Sequence, residues 1–276
     1  MENIGICITF SKIFDHMFLI EDMEHDLKEI ANSGIKAVEL SIRDTNDIDS
    51  ESLIYNLKKN RLKLVTIATG LIRKIDSITL MDKKSNREIV IERIVKMMDL
   101  LNKADSKEKY ILIGFVKGEL REGNNWEQMK LLKGSLLELV DLAKERDVKI
   151  LLEIINRGDT NLLNTISEGA DFISQFENQN IKLVIDTYHM SLDEKDISAS
   201  IIRGREYIEC IHLSDDNRLN PGMGKINFKK IISTLKEINY KGYLMFECRT
   251  AKDKYMELCL GYDNIAKISQ EVNYNV

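Results

Sequence analysis

Residues 181–214, IKLVIDTYHMSLDEKDISASIIRGREYIECIHLS, hold the pattern from which the fold is read. An apolar, β-branched run at 181–187 gives way to an amphipathic, charged stretch at 195–206, and a second apolar run follows at 208–214. Short runs of this kind read as buried strands and longer periodic stretches as helices, so the segment is one strand–helix–strand unit. The alternation recurs outward in both directions. Strands are predicted at 3–9, 36–42, 62–68, 110–116, 149–155 and 242–248, and helices at 21–33, 51–60, 86–104, 126–146, 161–177, 227–238 and 252–270. Between 86 and 104, Ile89, Ile91, Ile94, Val95, Met98 and Leu101 fall close to a 3.6-residue period, which predicts one buried helix face. Eight rounds of strand and helix make this an α/β protein, and the expected fold is a (β/α)8 TIM barrel spanning 1–276 as a single domain. A doubly wound open sheet shares the alternation but wants a glycine-rich phosphate loop after its first strand, where ITFSKIF offers none.

Composition narrows the function. With 40 basic and 45 acidic residues the net charge is −5, and no block of lysine and arginine is dense enough to track a phosphate backbone, which argues against nucleic acid. MENIGICITF carries an acid where a signal peptide needs bases, and no apolar run approaches the roughly 18 residues of a membrane span. The protein is expected to be cytoplasmic, with no membrane partner. Cys7, Cys210, Cys248 and Cys259 show no CxxC spacing and mostly fall in apolar runs, as reduced, buried thiols would.

In a barrel, the C-terminal ends of the strands line the active-site mouth, so charged residues inside apolar strand ends call for explanation. Four stand out: Glu153 in ILLEII, Asp186 in LVIDTYH, His212 in ECIHLS and Glu247 in YLMFEC, on strands five to eight. Each alone reads equally well as a hydrogen-bonded core group. Burying all four together, with no lysine or arginine beside them at those strand ends, would cost several kcal/mol per unpaired charge, a penalty that one divalent cation removes. Carboxylates and an imidazole without a thiolate favour a hard or borderline ion, Mn2+ first, with Co2+, Mg2+ and Zn2+ also compatible. Just past His212, the only proline, Pro221, lies between Arg218 and the glycines 222 and 224 in a shaped turn.

With these residues located, the chain resembles the xylose-isomerase-like sugar isomerase/epimerase superfamily and, within it, the D-tagatose/D-psicose ketose 3-epimerases. The likeness is dense from 149 to 250. LLEIINRGDTNLLNT is similar to the family's metal-binding Glu followed by Asn-Arg and Asn-Thr, VIDTYHM to its Asp-Thr-x-His-Met element, and HLSDDNRLNPGMG to its His-x-x-acid-x-Asn-Arg-x-x-Pro-Gly-x-Gly. The resemblance implies that Glu153, Asp186, His212 and Glu247 bind the metal, that Glu153 and Glu247 are also the catalytic acid/bases, and that His189 and Arg218 hold substrate oxygens. Two departures stand out. The family's substrate-contacting glutamate is here the shorter Asp159, preceded by Gly158 where an aromatic is usual, and Arg249 follows strand eight, where a base can receive a phosphate or carboxylate.

The expected activity is inversion of C3 in a ketose or ketose phosphate through a cis-enediolate, by a homo-oligomer (dimer or tetramer) as the resemblance implies. An aldose–ketose or hydroxypyruvate-type isomerase would use the same groups. An abasic-site endonuclease needs more histidines than His16, His25, His189 and His212, and the first two lie before or within the first predicted helix. A non-catalytic sugar-binding barrel would not need the four-residue set. The alternative for Arg218 is a loop salt bridge to Asp215 or Asp216. Glu39, Arg43 and Asp44, on and after strand two, receive no role.

Overall fold

The computed structural model describes residues 3–177, 180–250 and 252–274. Eight parallel strands pair in chain order: β1 (Ile4–Thr9), β2 (Ala37–Ser41), β3 (Lys63–Ala68), β4 (Tyr110–Ile113), β5 (Lys149–Glu153), β6 (Ile181–Asp186), β7 (Ile208–Leu213) and β8 (Tyr243–Phe246). Ile4, Gly5 and Ile6 of β1 pair with Leu244, Met245 and Phe246 of β8, which closes the sheet into the expected barrel. A two-residue strand, Phe18–Leu19, pairs in parallel with the end of β1.

Side chains alternate across each strand, so every strand feeds two cores. Ile6, Leu40, Ile67, Ile111, Leu152 and Ile185 face the helices. Cys7, Val65, Leu112, Leu151, Val184 and Met245 fill the barrel. Met245 reaches across so far that a Cβ at residue 5 would overlap its Sδ, so only glycine fits there. Tyr110 and Tyr243, the first residues of β4 and β8, meet edge-on at the opposite end from the mouth, with ring centroids 6.5 Å apart.

The outer helices are α1 (Met23–Asn32), α2 (Ser50–Lys59), α3 (Gly70–Asp76), α4 (Lys84–Ala104), α5 (Asn125–Lys144), α6 (Ile166–Ile173), α7 (Thr187–Asp193), α8 (Ile197–Gly204), α9 (Phe228–Glu237) and α10 (Lys254–Glu271). Asp22, Asp49, Asn124, Thr165, Asp196, Asn227 and Asp253 each accept a backbone N–H in the first turn that follows, a contribution of about 1 kcal/mol per cap. No helix among the described residues is long and apolar enough to cross a membrane.

Several elements differ from the sequence expectation. The fourth strand stops at Ile113 rather than 116, because Gly114 (φ −94°, ψ −112°) leaves the strand conformation and a 3-10 turn follows at Phe115–Lys117. The helix expected from 161 begins only at Ile166. Before it, Asn164 donates to the carbonyls of Ile155 and Thr160 and holds 161–165 as a loop. α3 and α7 were not expected. In α4 the buried stripe runs through Val90, Ile91, Ile94, Met97, Met98 and Leu101, which leaves Ile89 42% exposed and Val95 half-buried. All four cysteines are free, but Cys259 is exposed on α10 and Cys248 only partly buried.

Asp26 ties the first helix to the last. Its Oδ2 accepts from the amides of Glu21 (2.8 Å) and Asp22 (3.0 Å), and its Oδ1 from Tyr255 Oη (2.6 Å) and Lys254 Nζ (2.7 Å) on α10. Burial raises this carboxyl's pKa, but the hydrogen bonds from Lys254, Tyr255 and the two amides outweigh it and the net shift is downward. Asp26→Asn is therefore expected to remove about 2 kcal/mol and lower Tm by about 5 °C near neutral pH. In thermal unfolding from neutral pH into acid, the gap to wild type should close as pH falls through the lowered pKa.

Candidate metal centre

The two-residue period of a strand sets the site. Leu151, Val184, Cys210 and Met245 face the barrel interior, so Glu153, Asp186, His212 and Glu247, two residues further along each strand, face it one layer nearer the mouth. Glu153 and Asp186 end β5 and β6, His212 is next to last in β7, and Glu247 directly follows β8. Asp186 and His212 are register partners on neighbouring strands. One ligand atom from each of the four lies within 4.8 Å of the others, and all four side chains are buried. Glu153 reaches this position because Gly114 has no side chain: a Cβ there would overlap its Oε2.

His212 Nδ1 points into the cluster, 3.7 Å from Glu247 Oε2 and 3.9 Å from Glu153 Oε1, and has no hydrogen-bond partner. A buried, orphaned ring nitrogen facing carboxylates is what a metal-binding imidazole looks like without its ion. Three carboxylates and that nitrogen can hold one divalent cation, and the absence of a thiolate in the set suits a hard or borderline one. Burial, then the charge of Glu247, pushes the Glu153 pKa up to about 8, and burial pushes Asp186 up to about 7 despite Arg218. Burial also acts on Glu247, but Arg218 and His212 hold it well below the usual carboxylate range.

Arg218 is buried over the cluster. Its Nη1 donates to Asp186 Oδ2 (2.6 Å) and Glu247 Oε2 (2.8 Å), and its guanidinium carbon stacks 4.3 Å from the centre of the Tyr188 ring. The loop salt bridge to Asp215 or Asp216 does not form. Asp215 is fully buried and accepts instead from the amides of Asp216, Gly222 and Ile226, which shapes the turn that places Arg218 in the left-handed region at φ 63°.

His189 lies on α7. Asp186 Oδ1 caps that helix through the Tyr188 amide (2.7 Å), while Thr187 Oγ1 donates to the Ser214 carbonyl (2.6 Å) and locks α7 to the end of β7. The His189 Nε2 is 3.1 Å from Arg218 Nη2 and its Nδ1 is 2.6 Å from Asn156 Nδ2. Burial and the Arg218 charge hold its pKa well below 6.5, so the ring is neutral. Asp159 sits half-exposed at the rim, where its Oδ2 accepts from Asn156 Nδ2 (2.7 Å). Asn156 thus links both substrate-binding candidates.

Apart from Asp186 and Asn156, which lie behind its surface, the candidate groups line one cavity of about 270 Å3. Glu153, His189, His212, Arg218 and Glu247 form its inner end, Phe14, Met17, Ala68, Leu112 and Phe115 its apolar wall, and Lys74, Asp159 and Arg249 its rim. Arg249 pairs with Asp15 (2.9 Å). Arg43 and Asp44 lie elsewhere, paired with Asp47 and Arg93. Sequence reasoning passed over three residues at the site. His16, set aside as lying before the first helix, enters the cavity with Nε2 3.9 Å from Glu247 Oε1. Lys117 is fully buried with its ammonium 3.2 Å from the Glu153 carbonyl, and burial lowers its pKa to about 8. Glu39 contacts His212. The one usable signal was an ionisable group in an apolar strand, AVELS, for Glu39.

A family model described as Xylose isomerase-like TIM barrel matches residues 27–271. The D-psicose 3-epimerase of Enterocloster bolteae is 28% identical over 153 residues, 55% of this chain and 50% of that protein, so the match spans half the relative's length. The L-ribulose 3-epimerase of Mesorhizobium japonicum is 29% identical over 229 residues, 82% of this chain and 75% of that protein. The structure of D-psicose 3-epimerase with D-tagatose from Clostridium cellulolyticum H10 has the same fold, with TM-score 0.80 at 20% identity, covering 99% of this chain and 100% of that one.

The raised carboxyl pKa values fix the sign of a pH effect. Folded Glu153 and Asp186 keep protons that the unfolded chain, titrating near its ordinary 4.5 and 3.8, has already lost. Stability of the metal-stripped protein is therefore expected to fall as pH rises from about 5 to about 8, and saturating Mn2+ should oppose the fall at the upper end. Thermal unfolding across that range checks both, and a flat profile would mean the cluster ionises without penalty.

Proposed function

The chain belongs to the xylose isomerase-like TIM barrel family, and from that premise we propose that it is a divalent-metal-dependent isomerase that inverts C3 of a ketose. The observation that carries this reading is the buried convergence of Glu153, Asp186, His212 and Glu247, with its orphaned imidazole nitrogen, at the inner end of a sugar-sized cavity. Relatives named as D-psicose and L-ribulose 3-epimerases support the reaction class.

The C3 proton of a ketose is very weakly acidic, so catalysis rests on stabilising the enediolate left by its removal. The four residues would hold one cation, Mn2+ in this reading, which supplies Lewis-acid polarisation of the substrate carbonyl. Glu153 and Glu247 reach the cluster from β5 and β8, on different arcs of the mouth. One takes the C3 proton and the other returns a proton to the opposite face, which inverts the centre.

Arg218, always charged, would donate to the developing oxyanion, while neutral His189, whose Nε2 faces the Arg218 donor, would accept from it or from a substrate hydroxyl. To do so Arg218 turns part of its fork from the carboxylates to the sugar, while the Tyr188 ring supports its flat face. Asp159, reaching less far than a glutamate, would hold a terminal hydroxyl at the rim. The apolar wall excludes water from the reacting carbons.

Glu153→Gln and Glu247→Gln are each expected to lower turnover at least about 100-fold. Removing the metal with a chelator should abolish turnover, and Mn2+ should restore it. A screen of free ketoses and ketose phosphates in deuterated water, read by NMR, tests the reaction itself. Label entering C3 supports epimerisation, whereas label entering C1 or C2 would replace it with aldose–ketose isomerisation. Either variant retaining more than a few per cent of wild-type turnover would exclude the two-carboxylate scheme.

A further inference from the structure

We propose that Glu39 is the positioning residue for the metal-binding imidazole: it holds the His212 ring in the form that carries its proton on Nε2 and so keeps Nδ1 open for the cation. This rests on the metal-site reading above and deepens it. Glu39 lies on β2, three strands round the closed barrel from β7, yet its Oε2 is 3.2 Å from His212 Nε2. Both side chains are buried, at 0% and 1% exposure. The other carboxylate oxygen, Oε1, is 3.5 Å from Cys7 Sγ, the register partner of Glu39 on β1, and that sulfur lies 3.9 Å from His212 Nε2.

The chemistry leaves one arrangement. The Glu39 carboxylate can accept a hydrogen bond, so the ring donates to it through Nε2, and a ring that ligates a cation through Nδ1 carries its one proton on that Nε2. Nδ1 faces Glu153 and Glu247 in the cluster, where the cation would sit. Without Glu39 the balance would reverse, because those two carboxylates would draw the single ring proton to Nδ1 and close the ligand position. Burying a carboxylate in the barrel interior with only an imidazole and a thiol as partners is otherwise unfavourable by several kcal/mol. A carboxylate behind a ligating histidine is the arrangement that recovers this as orientation and basicity.

The test measures Mn2+ binding to metal-stripped full-length protein by calorimetry, for wild type, Glu39→Gln and Glu39→Ala. Expected are a loss of affinity of about 10-fold for Glu39→Gln, whose amide oxygen can still accept from Nε2, and up to about 100-fold for Glu39→Ala. Thermal unfolding without metal identifies any variant that fails to fold, and the near-isosteric Gln variant serves if the Ala variant does. In the Zn2+-loaded wild type, 15N NMR should show a slowly exchanging proton on His212 Nε2 that shifts in Glu39→Gln. Wild-type affinity in both variants, or the proton found on Nδ1, overturns the proposal. A wild type that binds no Mn2+ overturns the metal-site reading together with it. A second equivalent of Zn2+ bound by wild type but lost in Cys7→Ser overturns it too, in favour of a cation held by Cys7, Glu39 and Nε2.

Discussion

Three carboxylates and an imidazole share a buried space in which their ligand atoms lie within 4.8 Å, and every other feature of the mouth answers to that charge. Arg218 is pulled down between Asp186 and Glu247, Lys117 is buried behind Glu153, and Glu39 balances His212 from the far side. None of these side chains could sit where it does in an apolar core. The cluster therefore selects its own surroundings, including a positive-φ arginine and a lysine with no exposed surface.

The closed barrel makes such a cluster tolerable. Strands β5 to β8 are fixed by pairing on both sides, so the four side chains arrive with their backbones already set. The loops do finer work. The Asp215 carboxylate gathers three amides to shape one turn, and Asn156 positions both His189 and Asp159 from another. The candidate substrate-binding residues thus ride on loops and a short helix, while the candidate ligands ride on the sheet.

Much of this was legible in the residues. The eight strands announced themselves by β-branched runs, and four ionisable residues in those runs marked the mouth before any coordinates. What escaped has physical reasons. The seven-residue α3 has no side-chain cap and no full apolar stripe, and α7 begins inside a strand-like run because Asp186 is at once strand end and helix cap. His16 meets Glu247 only through barrel closure across 231 positions of chain, a contact that periodicity cannot reveal. Glu39 looked generic since a lone carboxylate in a strand has many uses, and its partner lies 173 residues away. Arg218 was placed in the substrate region by its motif, but its grip on two of the candidate ligands depends on a backbone conformation no residue pattern encodes.

Asp186 is the hinge of this arrangement in a mechanical sense. One oxygen starts the helix that carries His189, and the other anchors Arg218. A glutamate could offer a cation the same oxygen, but its extra methylene would shift both contacts and let His189 and Arg218 drift relative to the cluster. The position thus answers to two demands at once, one from the helix that it starts and one from the guanidinium that it anchors.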